Sequence, residues 1–353
     1  MSALPFIRPE VQRLHAYVPG EQPRDRSTVK LNTNENAYPP SPRVLEAIAR
    51  ATTDDLKLYP DPVATELRNK AASVYGLTPE HVLAGNGSDE LLTMILRACV
   101  GPGDRVVFPV PTYSLYATLV EIQGGVSVCP PFPRDFELPL AELGEQGQRV
   151  TFICNPNAPS GTLASLSELE TLARSLKGLL VVDEAYVDFA QGTALPLVQK
   201  YPNVLVLRTF SKSFSLCGMR VGLGFADPAV IGALNKVKDS YNLNRLSQVA
   251  AVAALDDYAH MQRNADRIKA TRASLTAELR ERGFEVPDSH TNFVLARLPG
   301  KDLGPLQQEL KSLGVLVRHF KSPDLVDALR ITVGSTEEVA RLLAALDRAR
   351  AKP

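Results

Sequence analysis

The chain has 353 residues, more than one hydrophobic core ordinarily serves, so a large and a smaller domain are expected. Hydrophobic residues make up 44% and charged residues 22%, and Lys plus Arg equals Asp plus Glu at 39 each, so no overall field attracts nucleic acid or an anionic membrane. No run approaches about 18 consecutive apolar residues and no signal peptide is legible, while Cys99, Cys129, Cys154 and Cys217 are too dispersed for a metal site, which points to a reducing, cytoplasmic setting.

Residues 1–43 are rich in proline, asparagine and other polar types with little periodicity. They read as an N-terminal arm that either is disordered or packs on something else, another subunit being one candidate. Residues 44–255 read as a large domain in which strands and helices alternate. The pattern predicts a helix over 64–75, a strand over 81–84, a turn at Gly85-Asn86-Gly87 and a helix capped by Ser88. Strands follow at 105–108 and 126–129, with a helix starting at Pro111-Thr112 between them. Further strands are expected at 150–154, 179–183, 204–207 and 221–225, with a helix near 165–176. Such alternation predicts an α/β fold, a mostly parallel sheet covered by helices on both faces. Residues 256–353 read as a smaller α+β domain. It has a long amphipathic helix over 256–282, short strands near 284–286, 293–297, 314–318 and 328–332, and helices near 302–313 and 336–350.

Ligands of open α/β sheets bind beyond the carboxyl ends of the strands, and four polar stretches fall at such ends. Lys212 follows the apolar run Val204-Leu205-Val206-Leu207, with Thr209, Ser211 and Ser213 around it and Arg220 eight residues on. It is either a loop lysine on a solvated edge or a desolvated amine, its pKa depressed by burial and a neighbouring cation, able to attack an aldehyde. The hydroxyls and the arginine suit a phosphate monoester, and the set suggests a Schiff base to pyridoxal 5′-phosphate. Gly85-Asn86-Gly87-Ser88 opens a helix whose free N–H groups suit an anion. Asp89 would repel one, so the contact there falls to backbone and Ser88. Asp183 ends an apolar strand, either as a turn acid or as the carboxylate that keeps a pyridine nitrogen protonated. Tyr186 is either a core tyrosine or a partner of the ring hydroxyl, and Tyr113 either packs in the core or stacks on the ring. Asn157 follows the strand at 150–154. Arg318 and Arg330 lie in apolar strands, each either a salt-bridge partner or a fork for carboxylate or phosphate.

These residues carry a resemblance. The chain resembles the fold-type I pyridoxal 5′-phosphate aminotransferases, and within them the histidinol-phosphate aminotransferase branch, over nearly its whole length. The likeness rests on LNTNENAYPP at 31–40, YPDP at 59–62, GNGSDE at 85–90, the stretches 111–116 and 155–161, DEAY at 183–186, TFSKS at 209–213 with Arg220, TNF at 291–293 and LRITVG at 329–334. It implies that Lys212 binds the cofactor covalently and moves a proton, with Asp183 at the pyridine nitrogen, Tyr186 at the ring oxygen and Tyr113 over the ring. Ser88, Asp89, Thr209, Ser211 and Arg220 would hold the phosphate. Tyr59 would reach the cofactor phosphate of the neighbouring subunit, which makes the protein a homodimer. Arg318 and Arg330 would grip the anionic end of the substrates, flanked by Tyr17 and Asn292. The chain departs from the family pattern at Ala158, where an asparagine commonly bonds the ring oxygen. Either Asn157 takes over from one residue earlier or Tyr186 acts alone. The implied reaction moves an amino group between L-histidinol phosphate and 2-oxoglutarate in histidine biosynthesis. Aromatic amino-acid transamination, a lyase of the threonine-phosphate decarboxylase type and a non-catalytic binding module are the alternatives. The last is disfavoured by the intact Lys212 and Asp183 and by the lack of a basic patch.

Overall fold

The structure is a computed structural model that describes residues 6–14, 20–23, 25, 27–145 and 147–351. Among these residues eleven strands form. They are β1 Val29–Leu31, β2 Val82–Gly85, β3 Arg105–Val107, β4 Val126–Val128, β5 Gln148–Cys154, β6 Leu179–Asp183, β7 Val204–Thr209, β8 Gly222–Ala226, β9 Phe293–Arg297, β10 Val315–His319 and β11 Ala328–Thr332. Two sheets result: seven strands in the order β2-β8-β7-β6-β5-β3-β4, and four in the order β1-β10-β11-β9.

In the larger sheet β4, β3, β5, β6 and β7 run parallel, and β8 runs antiparallel to both β7 and β2. β2 therefore runs the same way as β7, and the carboxyl ends of β2, β5, β6 and β7 share one edge. Every residue of β7 is buried, as are the last four of β6, because helices flank the sheet. That is why these strands read as continuous apolar runs rather than alternating ones. The helices Gly87–Cys99 and Leu195–Lys200 both pack on β7 and β8, and Thr65–Tyr75 packs on β2. The helix Leu166–Ser175 opens with a reciprocal capping box between Ser165 and Glu168.

Several sequence expectations are corrected. Ser88 is not the cap of its helix: Asn86 stands at the cap and Gly87 is the first helical residue, so Ser88 lies in the first turn. The helix expected at Pro111-Thr112 starts at Leu115, and the Pro111 carbonyl accepts from the Asn157 side chain. Residues 284–286 form no strand, only one bridge between Glu285 and Arg297. The arm supplies β1, which pairs in parallel with β10 of its own chain. The long helix spans Tyr258–Glu281, preceded across Asp257 by a separate helix Arg245–Asp256. Among the described residues no helix is long and apolar enough to cross a membrane.

Candidate active site

Where β6 and β7 end, burial moves the pKa values of two ionisable groups toward their uncharged forms. Lys212 lies three residues past the end of β7, with its Nζ 5.7 Å from the centre of the Tyr186 ring and 3.4 Å from the carbonyl oxygen of Thr33. Burial, with the charge of Arg330 nearby, brings its pKa down to about 8. Asp183, the last residue of β6, is buried and accepts hydrogen bonds from the Tyr116 hydroxyl at 2.7 Å and the Ala185 N–H at 3.2 Å. Its pKa still rises to about 6, because burial outweighs those two donors and Asp89 and Glu184 add like charge.

An anion cradle sits beside them. The register pairs Thr209 with Gly222 and Gly222 with Gly85, which brings the ends of β7 and β2 to the start of the helix Gly87–Cys99. A Cβ on Gly222 would lie 2.6 Å from the backbone nitrogen of Ser88, so only glycine lets β8 approach so closely. Arg220, in a left-handed conformation at φ 53°, donates to Ser211 Oγ at 3.1 Å and to the Cys217 carbonyl at 3.2 Å. Its other nitrogen lies 3.4 Å from Asp89 Oδ2, and Tyr113 donates to Asp89 Oδ1 at 3.1 Å. The acid that would repel an anion is thereby tethered between an arginine and a phenol. Ser88, Thr209, Ser211 and Arg220 are gathered around one helix N-terminus.

The smaller sheet presents the arginines. Arg318 in β10 pairs directly with Arg330 in β11, and both guanidinium groups lie within 6 Å of the Phe320 ring, at 5.8 and 5.7 Å. Like charges directly opposite on paired strands are destabilising, and an anion between them relieves that. Arg330 also donates to the Asn32 carbonyl and lies over Phe293, whose ring meets Tyr186 edge-on. Asn292 is fully buried; its Nδ2 donates to the Asn34 carbonyl at 3.0 Å, while its Oδ1 has no hydrogen-bond partner among the described residues.

Two expected residues stand apart from these contacts. Both amide hydrogens of Asn157 are already taken, by the Pro111 carbonyl and Ser160 Oγ, and its Oδ1 accepts from Thr112, so no donor is left for a ring oxygen. Tyr59 projects from the surface, 77% exposed and stacked on Tyr241 at 4.3 Å, apart from the contacts that join the other residues. Tyr17 lies outside the described residues.

Sequence reasoning missed residues that hold the site in shape. Tyr116, stacked on Phe152, reads in the sequence as an ordinary helix aromatic, yet its hydroxyl orients Asp183. Arg208, the penultimate residue of β7, binds Glu184 at 3.0 Å and Asp188 at 3.6 Å, and Asp188 accepts from Ser213. This buried network ties the neighbour of Asp183 to the neighbour of Lys212. An arginine and an acid at the ends of two apolar strands were the available signal. Asn36 adds donors to the carbonyls of Lys212 and Ser213.

Residues 26–346 match the family model for class I and II aminotransferases. The chain is 48% identical over 341 residues to the histidinol-phosphate aminotransferase of Citrifermentans bemidjiense, covering 96% of this chain and 97% of that one. It is 44% identical over 342 residues to histidinol-phosphate aminotransferase 1 of Trichormus variabilis, covering 97% and 98%. Its fold superposes on the crystal structure of the histidinol-phosphate aminotransferase of Sinorhizobium meliloti in complex with pyridoxal-5′-phosphate, with a TM-score of 0.90, 29% identity and coverage of 99% and 98%. A buried amine, a strand-end carboxylate and an anion cradle on one sheet edge thus sit within a likeness that spans the whole chain, which belongs to the class I and II aminotransferase family, in its histidinol-phosphate aminotransferase branch.

Proposed function

We propose that the protein transfers the amino group of L-histidinol phosphate to 2-oxoglutarate, with pyridoxal 5′-phosphate as cofactor. The observation that carries the substrate reading is the direct pairing of Arg318 with Arg330 across β10 and β11, with Arg330 near enough for its charge to act on the buried Lys212. One site must accept the phosphate of one substrate and the α-carboxylate of the other. Two guanidinium forks over a shared ring meet that demand.

The residues fit the cofactor. Lys212 is a buried amine whose pKa is brought down to about 8, and Asp183 a buried carboxylate with only neutral donors on it. Asn292 keeps an unanswered buried acceptor. When bound, pyridoxal 5′-phosphate supplies an aldehyde that takes up the amino group and a ring that draws electrons from the donor carbon. In this reading Asp183 holds a proton on the ring nitrogen and Tyr186 donates to the ring oxygen. Ser88, Thr209, Ser211 and Arg220 bind the phosphate, and Tyr113 covers the ring. Lys212 Nζ takes the proton from the substrate carbon and returns it at the far end of the transfer. Arg330 holds the substrate carboxylate and shares the phosphate, Arg318 acts mainly on the phosphate, and Asn292 orients the donor.

The test is a half-reaction. Cofactor-loaded protein is mixed with L-histidinol phosphate, phenylalanine or threonine phosphate, and conversion of the cofactor to its amino form and release of carbon dioxide are followed. Rapid conversion with histidinol phosphate alone is expected. No conversion with it, or carbon dioxide from threonine phosphate, would sink the reading. Arg330→Ala should impair the half-reactions of both histidinol phosphate and glutamate. Arg318→Ala should weaken histidinol phosphate more, by about 2–5 kcal/mol of transition-state binding. Equal losses for both substrates in Arg318→Ala would refute the division of labour.

The homodimer belongs to the same reading. Tyr59 is exposed in a stretch that also leaves Leu56, Leu58 and Val63 exposed, which suits a subunit contact that lends Tyr59 to the neighbouring phosphate site. Mixing an inactive Lys212→Ala chain with a Tyr59→Ala chain should create heterodimers with one intact site and activity above either parent. No gain despite demonstrated subunit exchange would place Tyr59 elsewhere. The four free thiols suit the cytoplasm, the compartment this reading implies.

A further inference from the structure

We propose that Asn34 is a positioning residue for Tyr186: it fixes the phenol as an acceptor on one side, so that the hydroxyl hydrogen is directed to the cofactor's ring oxygen and compensates for the missing asparagine at Ala158. The proposal rests on the cofactor reading above. Asn34 is 1% exposed and sits in the left-handed region at φ 58°, which asparagine tolerates better than most residues. Four hydrogen bonds define it. Its backbone N–H donates to Thr332 Oγ1 at 3.0 Å, Thr332 Oγ1 donates to its Oδ1 at 3.2 Å, its Nδ2 donates to the Tyr186 hydroxyl at 3.0 Å, and its carbonyl accepts from Asn292 Nδ2 at 3.0 Å.

The polarity follows from counting hydrogens. Thr332 has one, and with its oxygen receiving the Asn34 N–H, that hydrogen goes to Asn34 Oδ1. Turning the carboxamide over would remove this acceptor from a buried hydroxyl, which is costly. The amide nitrogen therefore faces Tyr186, whose oxygen accepts and whose own hydrogen is left for another acceptor. Burial pushes the Tyr186 phenol up to about 12, so it keeps that hydrogen at working pH. A phenol that accepts from an amide is also the stronger donor.

A donor at the ring oxygen weakens that oxygen's hold on the proton of the Lys212 nitrogen once Lys212 is linked to the cofactor. The other charged or titratable groups acting on that nitrogen are Arg330 from β11, Glu35 from the arm, Asp89 from the helix Gly87–Cys99 and Cys217. Asp183 and Glu184 stand at the end of β6. None is removed by a change at position 34.

The experiment titrates the visible absorption of cofactor-loaded wild type, N34A, Y186F and the double variant. N34A should raise the midpoint by about half to one pH unit. Y186F should raise it further, and the double variant should match Y186F, because Asn34 acts only through the phenol. An unshifted N34A, or an equal N34A shift with and without Tyr186, would overturn the proposal. T332V, which removes the group that orients the carboxamide and leaves position 34 intact, should shift the midpoint in the same direction, and with Y186F it carries the cycle if N34A fails to fold. A wild type with no absorbing cofactor on Lys212 would count against the cofactor reading, whereas a normal wild type with silent variants counts only against Asn34.

Discussion

Replacing Lys212 with methionine should abolish amino transfer and, in the same protein, stabilise the cofactor-free fold at pH 7. The loss of activity should be at least about ten-thousandfold, since the variant removes the group proposed as both nucleophile and proton carrier. The gain in stability follows from the depressed pKa. An unfolded lysine titrates near 10.5 and the folded one near 8. Above about pH 10.5 both states are neutral and burial costs nothing extra. As pH falls through 8 the folded state must charge a buried amine, and the stability is lost. The variant has no such loss, so at pH 7 it should exceed the wild type by about 3 kcal/mol, several degrees in Tm, with the gap closing above about pH 10.5. Thermal melts of both cofactor-free proteins from pH 6 to 11 check the sign. Borohydride reduction of the loaded wild type followed by peptide mapping checks the attachment. A label on another lysine would remove Lys212 from the centre of the site, and a less stable variant at pH 7 would mean its amine is well solvated or paired.

The larger sheet was legible because burial on both faces writes itself into sequence as unbroken apolar runs, and a charge at the end of such a run has few innocent explanations. Leu179–Asp183 and Val204–Thr209 are strands of this kind. Once parallel, they carry Asp183 and Lys212 to one edge. What was illegible depends on partners far away in the chain. β1 is three residues long and exists because β10, nearly three hundred residues later, offers it a parallel edge. Tyr116 has the spacing of a core aromatic; its role appears only when its hydroxyl meets Asp183. The surroundings of Asn157 and Tyr186 could not be read from sequence either. Thr112, Pro111 and Ser160 occupy the carboxamide of Asn157, while Thr332 orients that of Asn34, which meets Tyr186. Local pattern yields elements and their ends; the direction of a hydrogen bond needs both partners in place.

Asp183 should show the same opposition between function and stability from the acidic side, and Asp183→Asn separates the two. Unfolded, the carboxyl titrates near 3.8; in the fold, burial holds it near 6 despite Tyr116 and Ala185. A raised pKa contributes stability that is full below about pH 4 and is lost as pH rises through 6. At pH 7.5 the cofactor-free wild type should therefore be less stable than Asp183→Asn by up to about 3 kcal/mol, and near pH 4 the two should melt alike. Asparagine keeps the shape, its oxygen accepting the Ala185 N–H and its amide donating to the Tyr116 oxygen, so the comparison reports charge rather than packing. With the cofactor bound the order should reverse, because a protonated ring nitrogen gives the carboxylate the opposite charge it lacks and gives the amide nothing. Amino transfer in the variant should fall by about a hundred- to a thousandfold, the usual loss when one preorganised electrostatic partner is removed. Melts at pH 4 and 7.5, each with and without pyridoxal 5′-phosphate, test both halves. If the cofactor stabilised wild type and variant equally at pH 7.5, Asp183 would not face the ring nitrogen, and its buried charge would need another purpose.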